Sequence, residues 1–182
     1  MIDRAIAIRP VEPADLAQIA AIYRQEVLHG TATFELEAPG AEAMAARYGA
    51  LMGDGYPWLA ALAGEAVAGY AHAAPFRPRP AFRHTVENSV YVAPAFQRRG
   101  VGGLLLAGLI EACEERGFRQ MIAVIGDGLN DASIRMHARA GFTHAGVWKS
   151  VGWKFGRWLD CVAMQRALGA GDSTPANPRA DG

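Results

Sequence analysis

Between Gln97 and Gly103 the chain reads Gln-Arg-Arg-Gly-Val-Gly-Gly, and these residue types converge on one chemistry. Gly100, Gly102 and Gly103 leave backbone N–H groups bare, Arg98 and Arg99 add positive charge, and Val101 opens an apolar helical run. The first turn of a helix has N–H groups without intrahelical partners and a partial positive charge, so the whole turn suits a pyrophosphate. A Walker loop is excluded, because Gly-Lys-Ser/Thr occurs nowhere in the chain. The dinucleotide fingerprint G-x-G-x-x-G fails as well, since its third glycine would fall on Leu105. The pattern that fits is Q/R-x-x-G-x-G/A, met by Gln97 to Gly102.

Other reactive side chains lie within reach of that turn in sequence. Glu87 sits in Thr85-Val-Glu-Asn-Ser-Val-Tyr-Val92, a strand-like run where a charge is either exposed or at work. Upstream, Pro75 to Arg83 holds three prolines, two phenylalanines and the arginines Arg77, Arg79 and Arg83. Prolines keep that stretch out of regular structure, and arginine binds oxyanions bidentately, so Arg77-Pro78-Arg79 and Arg83 are candidates for an acidic substrate. His137 stands four residues before Gly141-Phe142. Phe34, after the first helix, is either a pocket wall or core; His72 is taken as structural.

The elements that must position these groups follow from periodicity. Residues 5 to 9 read as a first strand closed by Pro10, and Pro13 suits the start of a helix. Leu16, Ile19, Ala20, Tyr23 and Val27 then form one apolar stripe. A second helix spans 40 to 52, and strands at 58–63 and 66–73 make a hairpin across Gly64-Glu65. A central strand, 84–92, leads through the glycine turn into a helix over 101–116 that Gly117 caps. A buried strand follows at 120–125, then a helix with Asn130 as N-cap, then strands at 142–150 and 153–165. The order β-α-α-β-β-β-α-β-α-β-β is mixed α/β, with crossovers that require some parallel pairing. Ligands of such sheets bind where the carboxyl ends of strands part, which puts the turn after Val92 at the mouth of a site. Residues 1–168 are expected to form one domain, and 169–182, lacking hydrophobes, a disordered tail.

Composition narrows the function classes. The formal net charge is +0, with 51% apolar and 20% charged residues, so neither nucleic acid nor an acidic membrane is an expected partner. No run approaches the ~20 apolar residues of a membrane span, and the N-terminus has no signal-peptide core, so a cytoplasmic location is expected. Cys113 and Cys161 are read as buried thiols, not a disulfide.

The glycine turn resembles the acetyl-CoA loop of the GCN5-related N-acetyltransferase (GNAT) superfamily, whose fold has the same element order. A narrower likeness extends over nearly all of residues 5–168. His84-Thr-Val-Glu-Asn-Ser-Val-Tyr-Val92, the Gln97 loop, Ala123-Val-Ile-Gly126, Asn130-Asp-Ala-Ser-Ile-Arg-Met-His137, Gly141-Phe142 and Lys154-Phe-Gly-Arg-Trp158 look like the phosphinothricin and methionine sulfoximine N-acetyltransferases. Arg99 departs from the smaller residue or lysine frequent before the glycine; the backbone-donor logic survives this.

The resemblance implies a fold of mixed, mostly antiparallel sheet flanked by helices, acetyl-CoA as cosubstrate, no metal, and a homodimer. It implies direct transfer to the α-amine of a small amino acid analogue, with resistance to phosphinothricin as a consequence. It assigns Glu87 to deprotonating the amine and places the thioester against the backbone of Val90, Tyr91 and Val92, where the strand is expected to bulge. It puts the pyrophosphate on Arg98, Arg99, Gly100, Val101, Gly102 and Gly103, and gives Asn130 a contact to the cofactor arm. His137, where the superfamily usually carries a tyrosine, would protonate the CoA thiolate, and Tyr91 is a further catalytic candidate. Pro78, Asn88, Ser89 and Phe34 join Arg77, Arg79, Arg83 and Glu87 around the acceptor. Trp148, Trp153 and Trp158 suit a dimer surface or core. Two alternatives stay open: another amine acceptor, such as a peptide N-terminus or polyamine, and an acetyl-CoA-binding sensor without turnover.

Overall fold

The computed structural model describes residues 5–128 and 130–176. Its seven strands are β1 (Ala7–Pro10), β2 (Trp58–Ala63), β3 (Ala66–Pro75), β4 (Thr85–Val92), β5 (Gln120–Gly126), β6 (Thr143–Lys154) and β7 (Arg157–Ala167). Its four α-helices are α1 (Leu16–His29), α2 (Ala41–Gly53), α3 (Val101–Glu115) and α4 (Asp131–Arg139). One sheet runs in the order β1-β2-β3-β4-β5-β7-β6, antiparallel at every pair except β4–β5, which is parallel.

Two cores flank the sheet. On one face Ile19, Ile22, Tyr23 and Val27 of α1 and Met44 of α2 close over Trp58, Ala60, Val67 and Tyr70. His72 belongs to this layer, its ring stacked on Trp58 at 4.5 Å, and burial pushes its pKa down to about 4. On the other face Val101, Leu105, Leu106, Leu109 and Cys113 of α3 cover Val86, Met121, Ala123 and Met164. The apolar run of β5 is buried because both faces are covered, as expected of a strand beside a parallel partner.

Three details differ from the sequence reading. Residues 13–15 form a 3-10 turn before α1, because Glu12 and Asp15 bond reciprocally in a capping box. The last hairpin turns at Phe155-Gly156, where both residues have positive φ, so Val151 to Trp153 belong to β6. Residues 169–174 are wound into turns, and Arg119 Nη2 donates to Thr174 O at 3.0 Å and Thr174 Oγ1 at 2.8 Å, so polar bonds hold the first part of the expected tail. Residues 177–182 of that tail, and residues 1–4 and 129, lie outside the described residues. Trp148, Val151, Trp153, Phe155 and Trp158 are all exposed on the β6–β7 hairpin. No helix among the described residues is long and apolar enough to cross a membrane.

Candidate active site

β4 and β5 lie side by side only as far as Asn88 and Ala123. Beyond that pair β5 stays on β7 to Gly126 while β4 stays on β3 to Val92, so a wedge opens between their carboxyl ends. The register of β4 on β3 is continuous from Val86 to Val92, so the expected bulge is absent and divergence of the strands frees the edge instead. Ala93 N–H donates to Ala68 O on β3 at 2.9 Å. Successive N–H groups of a strand alternate in direction, so those of Val90 and Val92 face the wedge.

A cleft of about 690 Å³ runs from this wedge between α3 and α4. Gly100 has φ 83°, and Leu104 N–H makes the first intrahelical bond, to Gly100 O at 3.1 Å. The N–H groups of Val101, Gly102 and Gly103 therefore have no helical partner, and all three residues line the cleft with Arg98. A Cβ on Gly102 would stand 2.9 Å from Met136 Sδ, so its bareness lets α4 approach; one on Gly103 would meet nothing within 4 Å, consistent with an open backbone. Arg135 and Arg139 line the far wall. This suits a long, phosphate-bearing ligand.

A second cavity of about 200 Å³ opens on the other side of the wedge. Its walls come from the loop after α1 (Thr33, Phe34), β4 (Glu87, Ser89, Tyr91), the end of β5 (Val124 to Gly126) and α4 (Ser133, His137). Ala32, Val90, Tyr91, Asn130 and Ser133 line both spaces, so a small acceptor and a long donor would meet at this point. Burial pushes the Glu87 carboxyl above the usual carboxylate range, and the charge of Arg77 offsets part of that rise. Tyr91 stacks on Tyr70 at 5.2 Å and meets Tyr23 edge-on at 5.2 Å; burial drives its phenol pKa far up, so it stays protonated.

Behind the wedge, Asn88 and His137 tie three elements together. Asn88 Nδ2 donates to Ile122 O of β5 at 3.2 Å, which fixes the amide with Oδ1 toward α4. His137 Nε2 lies 3.0 Å from that oxygen and so acts as donor. In the neutral ring Nδ1 is then an acceptor and takes the Ser133 hydroxyl at 3.3 Å, whereas a bond to Ser133 O, 2.9 Å away, forms only in the imidazolium. Burial pushes the imidazole pKa down, and the Ser133 carbonyl opposes that. His137 is only 4% exposed and does not line the cleft, whereas its neighbour Ser133 does.

Residues 19–142 match the model of the Acetyltransferase (GNAT) family. The chain belongs to this family. It is 49% identical over 170 residues to a phosphinothricin N-acetyltransferase of Alcaligenes faecalis, covering 93% of this chain and 86% of that protein. It is 41% identical over 163 residues to an L-methionine sulfoximine/L-methionine sulfone acetyltransferase of Salmonella typhimurium, covering 90% and 95%. Among solved structures, a GNAT superfamily phosphinothricin acetyltransferase from Sinorhizobium meliloti, crystallised with AcCoA, aligns with TM-score 0.91 and 44% identity over 95% of this chain and 94% of that one. The fold is thus the GNAT fold, and the chain is an acetyltransferase of that family.

Against this GNAT frame the expected site residues divide. Glu87, Asn88, Ser89, Val90, Tyr91, Phe34, Asn130 and His137 gather at the small cavity, and Val92, Arg98, Gly100, Val101, Gly102 and Gly103 line the donor cleft. Asn130 Oδ1 also accepts from Ser133 N–H at 3.2 Å as helix N-cap. Arg99 does not line the cleft; its guanidinium lies over the Phe96 ring at 5.7 Å. Arg77, Pro78, Arg79 and Arg83 are exposed and none lines the small cavity, because the prolines carry their loop out over the surface. Arg77 lies over the ring of Phe76 at 4.3 Å, close enough for its charge to act on Glu87. Sequence reasoning missed Ser133 as a site residue and missed Thr33 altogether. Ser133 stands unmarked within the Asn130-to-His137 block, and nothing local marks Thr33, whose hydroxyl bonds Tyr23 at 2.8 Å.

Proposed function

We propose that this chain transfers the acetyl group of acetyl-CoA directly to the α-amine of small amino acid analogues, with phosphinothricin, methionine sulfoximine and methionine sulfone as acceptors. The observation that carries this reading is the meeting of a small, carboxylate-bearing cavity with a long glycine-walled cleft at Val90 and Tyr91. The names of the relatives supply the acceptor class. Bound acetyl-CoA would supply the acetyl group as a thioester. The turn from Arg98 to Gly103 holds its pyrophosphate, and Val90 and Val92 N–H groups face its carbonyl oxygen. Glu87 takes the amine proton, and its raised pKa brings it nearer to neutral pH, where a base is most effective. Asn88, Ser89 and Phe34 border the acceptor, Tyr91 walls the junction, and the CoA thiolate takes its proton from the imidazolium form of His137, relayed through the Ser133 hydroxyl that lies 3.3 Å from Nδ1. Arg77, with Pro78, Arg79 and Arg83 on the same loop, attracts the acceptor's acidic end from the rim.

The reading takes residues 1–168 as the catalytic domain with 169–182 as its tail, places the enzyme in the cytoplasm, and gives it herbicide resistance. It also takes a homodimer through the β6–β7 hairpin, because six large hydrophobic side chains exposed on one hairpin, Val147 among them, exceed what an isolated surface needs.

Thiol release from acetyl-CoA across a panel of acceptors tests the proposal. Turnover is expected with L-phosphinothricin, L-methionine sulfoximine and L-methionine sulfone, and not with a peptide or polyamine. Turnover only with the last two would move the acceptor class, and silence with acetyl-CoA bound would leave a sensor.

A further inference from the structure

Lys154 is a buried lysine that the chemistry above does not use. It ends β6, is 2% exposed, and donates through Nζ to Gly30 O and Thr33 O, both at 2.8 Å. Taking an ammonium out of water is costly, and here the two backbone carbonyls, the Phe155 ring at 5.0 Å and the charge of Glu26 offset it. What the two carbonyl bonds hold is the segment 30–34, which carries Thr33 and Phe34 into the small cavity.

The same segment is pinned from other directions. Ala32 N–H donates to Glu26 Oε1 at 2.8 Å, and a Cβ on Gly30 would collide with that carboxylate. Thr31 Oγ1 donates to Asp127 Oδ2 at 3.3 Å, and Arg157 from the same hairpin tip pairs with that oxygen at 2.5 Å. The Phe34 ring lies against two strand glycines: a Cβ on Gly152 would collide with Phe34 Cε1, and one on Gly126 would sit 3.2 Å from Phe34 Cε2. A lysine, an arginine and a glycine of one hairpin thus converge on one short wall of one cavity.

We propose that Lys154 is a positioning residue for the acceptor: it clamps segment 30–34 so that Phe34, seated on Gly126 and Gly152, sets the size of amino acid side chain the cavity admits. The inference rests on the acetyl-transfer reading of that cavity. Thr33 and Phe34 of this segment line the small cavity and not the cleft, while Gly100, Gly102 and Gly103 line the cleft and not the cavity, so loss of the clamp falls chiefly on the acceptor. With an acceptor that the wild type acetylates, Lys154→Met raises acceptor KM at least tenfold, leaves acetyl-CoA KM within twofold, and narrows the preference for that acceptor over a bulkier amino acid. Gly152→Ala, which displaces Phe34 without touching Lys154, produces the same pattern.

An unchanged acceptor KM in folded Lys154→Met overturns the proposal, as does a parallel rise in both KM values. If Lys154→Met does not fold, an unchanged acceptor KM in Gly152→Ala overturns it alone. Amide hydrogen exchange separates this from failure of the functional reading. Faster exchange at residues 30–34 with no change at 97–103 supports the clamp even if no acceptor on the panel is turned over, and uniform or unchanged exchange overturns it.

Discussion

The donor cleft and the acceptor cavity share a wall but are made of different material. The cleft is largely backbone: bare N–H groups at the start of α3, a glycine at φ 83°, and the N–H groups of β4 that face the wedge. The acceptor cavity is made of side chains from four separate segments, and its one carboxylate owes its altered acidity to burial among them. A site built from backbone is sensitive to dihedral angles and tolerant of side-chain change, as the unused guanidinium of Arg99 illustrates. A site built from side chains is sensitive to each identity and to whatever holds the segments in place. The two should therefore fail differently.

Glu87→Gln should fail most. It keeps the shape of the cavity wall and removes the base, so kcat falls by about 100-fold or more, while acetyl-CoA KM stays near the wild-type value. Steady-state kinetics with both substrates varied decides it. A kcat equal to wild type would take Glu87 out of the mechanism and make the cavity a mere enclosure.

Gly100→Ala tests the other side of the comparison. At φ 83° an alanine is strained by about 1–2 kcal/mol, which distorts the N–H array. Acetyl-CoA binding, measured by calorimetry, should weaken about tenfold, with acceptor KM unaffected. If Gly100→Ala binds acetyl-CoA normally while Arg98→Ala does not, charge and not backbone geometry holds the pyrophosphate.

The same difference explains what could be read from the sequence. Gly100, Gly102 and Gly103 are contiguous, and a helix start has the same donors wherever it occurs, so the cleft was legible from spacing alone. The order of elements along the chain followed from hydrophobic runs, and Asn130 as N-cap from its residue type. The acceptor cavity was legible only in part. Glu87 stood out as a charge in a strand, but the arginine loop, chosen for its chemistry, lies at the rim because local composition says nothing of where a proline-rich loop is carried. Lys154 acts through carbonyls 124 and 121 residues away, which no window of sequence contains, and Thr33 acts through Tyr23, 10 residues back, by a turn of the chain after α1 that helical periodicity does not signal. The bulge expected in β4 proved unnecessary, since the early end of β4–β5 pairing exposes the same edge, and pairing length is a tertiary property.

The smallest expected effect decides what the exposed Arg77 does. Two roles are available to it: binding the acceptor's acidic end, or tuning Glu87 from the rim. Burial raises the Glu87 pKa and the positive charge of Arg77 lowers it, so removing that charge lets the pKa climb further. At a given pH below the plateau less Glu87 is then ionised, less base is available, and the acid limb of kcat/KM moves to higher pH in Arg77→Ala. If tuning is the whole role, the plateau of kcat/KM at high pH is unchanged, because Glu87 is fully ionised there in both enzymes. If Arg77 also holds the acceptor, the plateau falls through a higher acceptor KM at every pH. Since Arg77 is exposed, salt screens either interaction, so raising ionic strength in the wild type should move its acid limb in the same direction as the substitution. A limb that moves in neither experiment would mean that burial alone sets the acidity of Glu87, and that the cavity works independently of its rim.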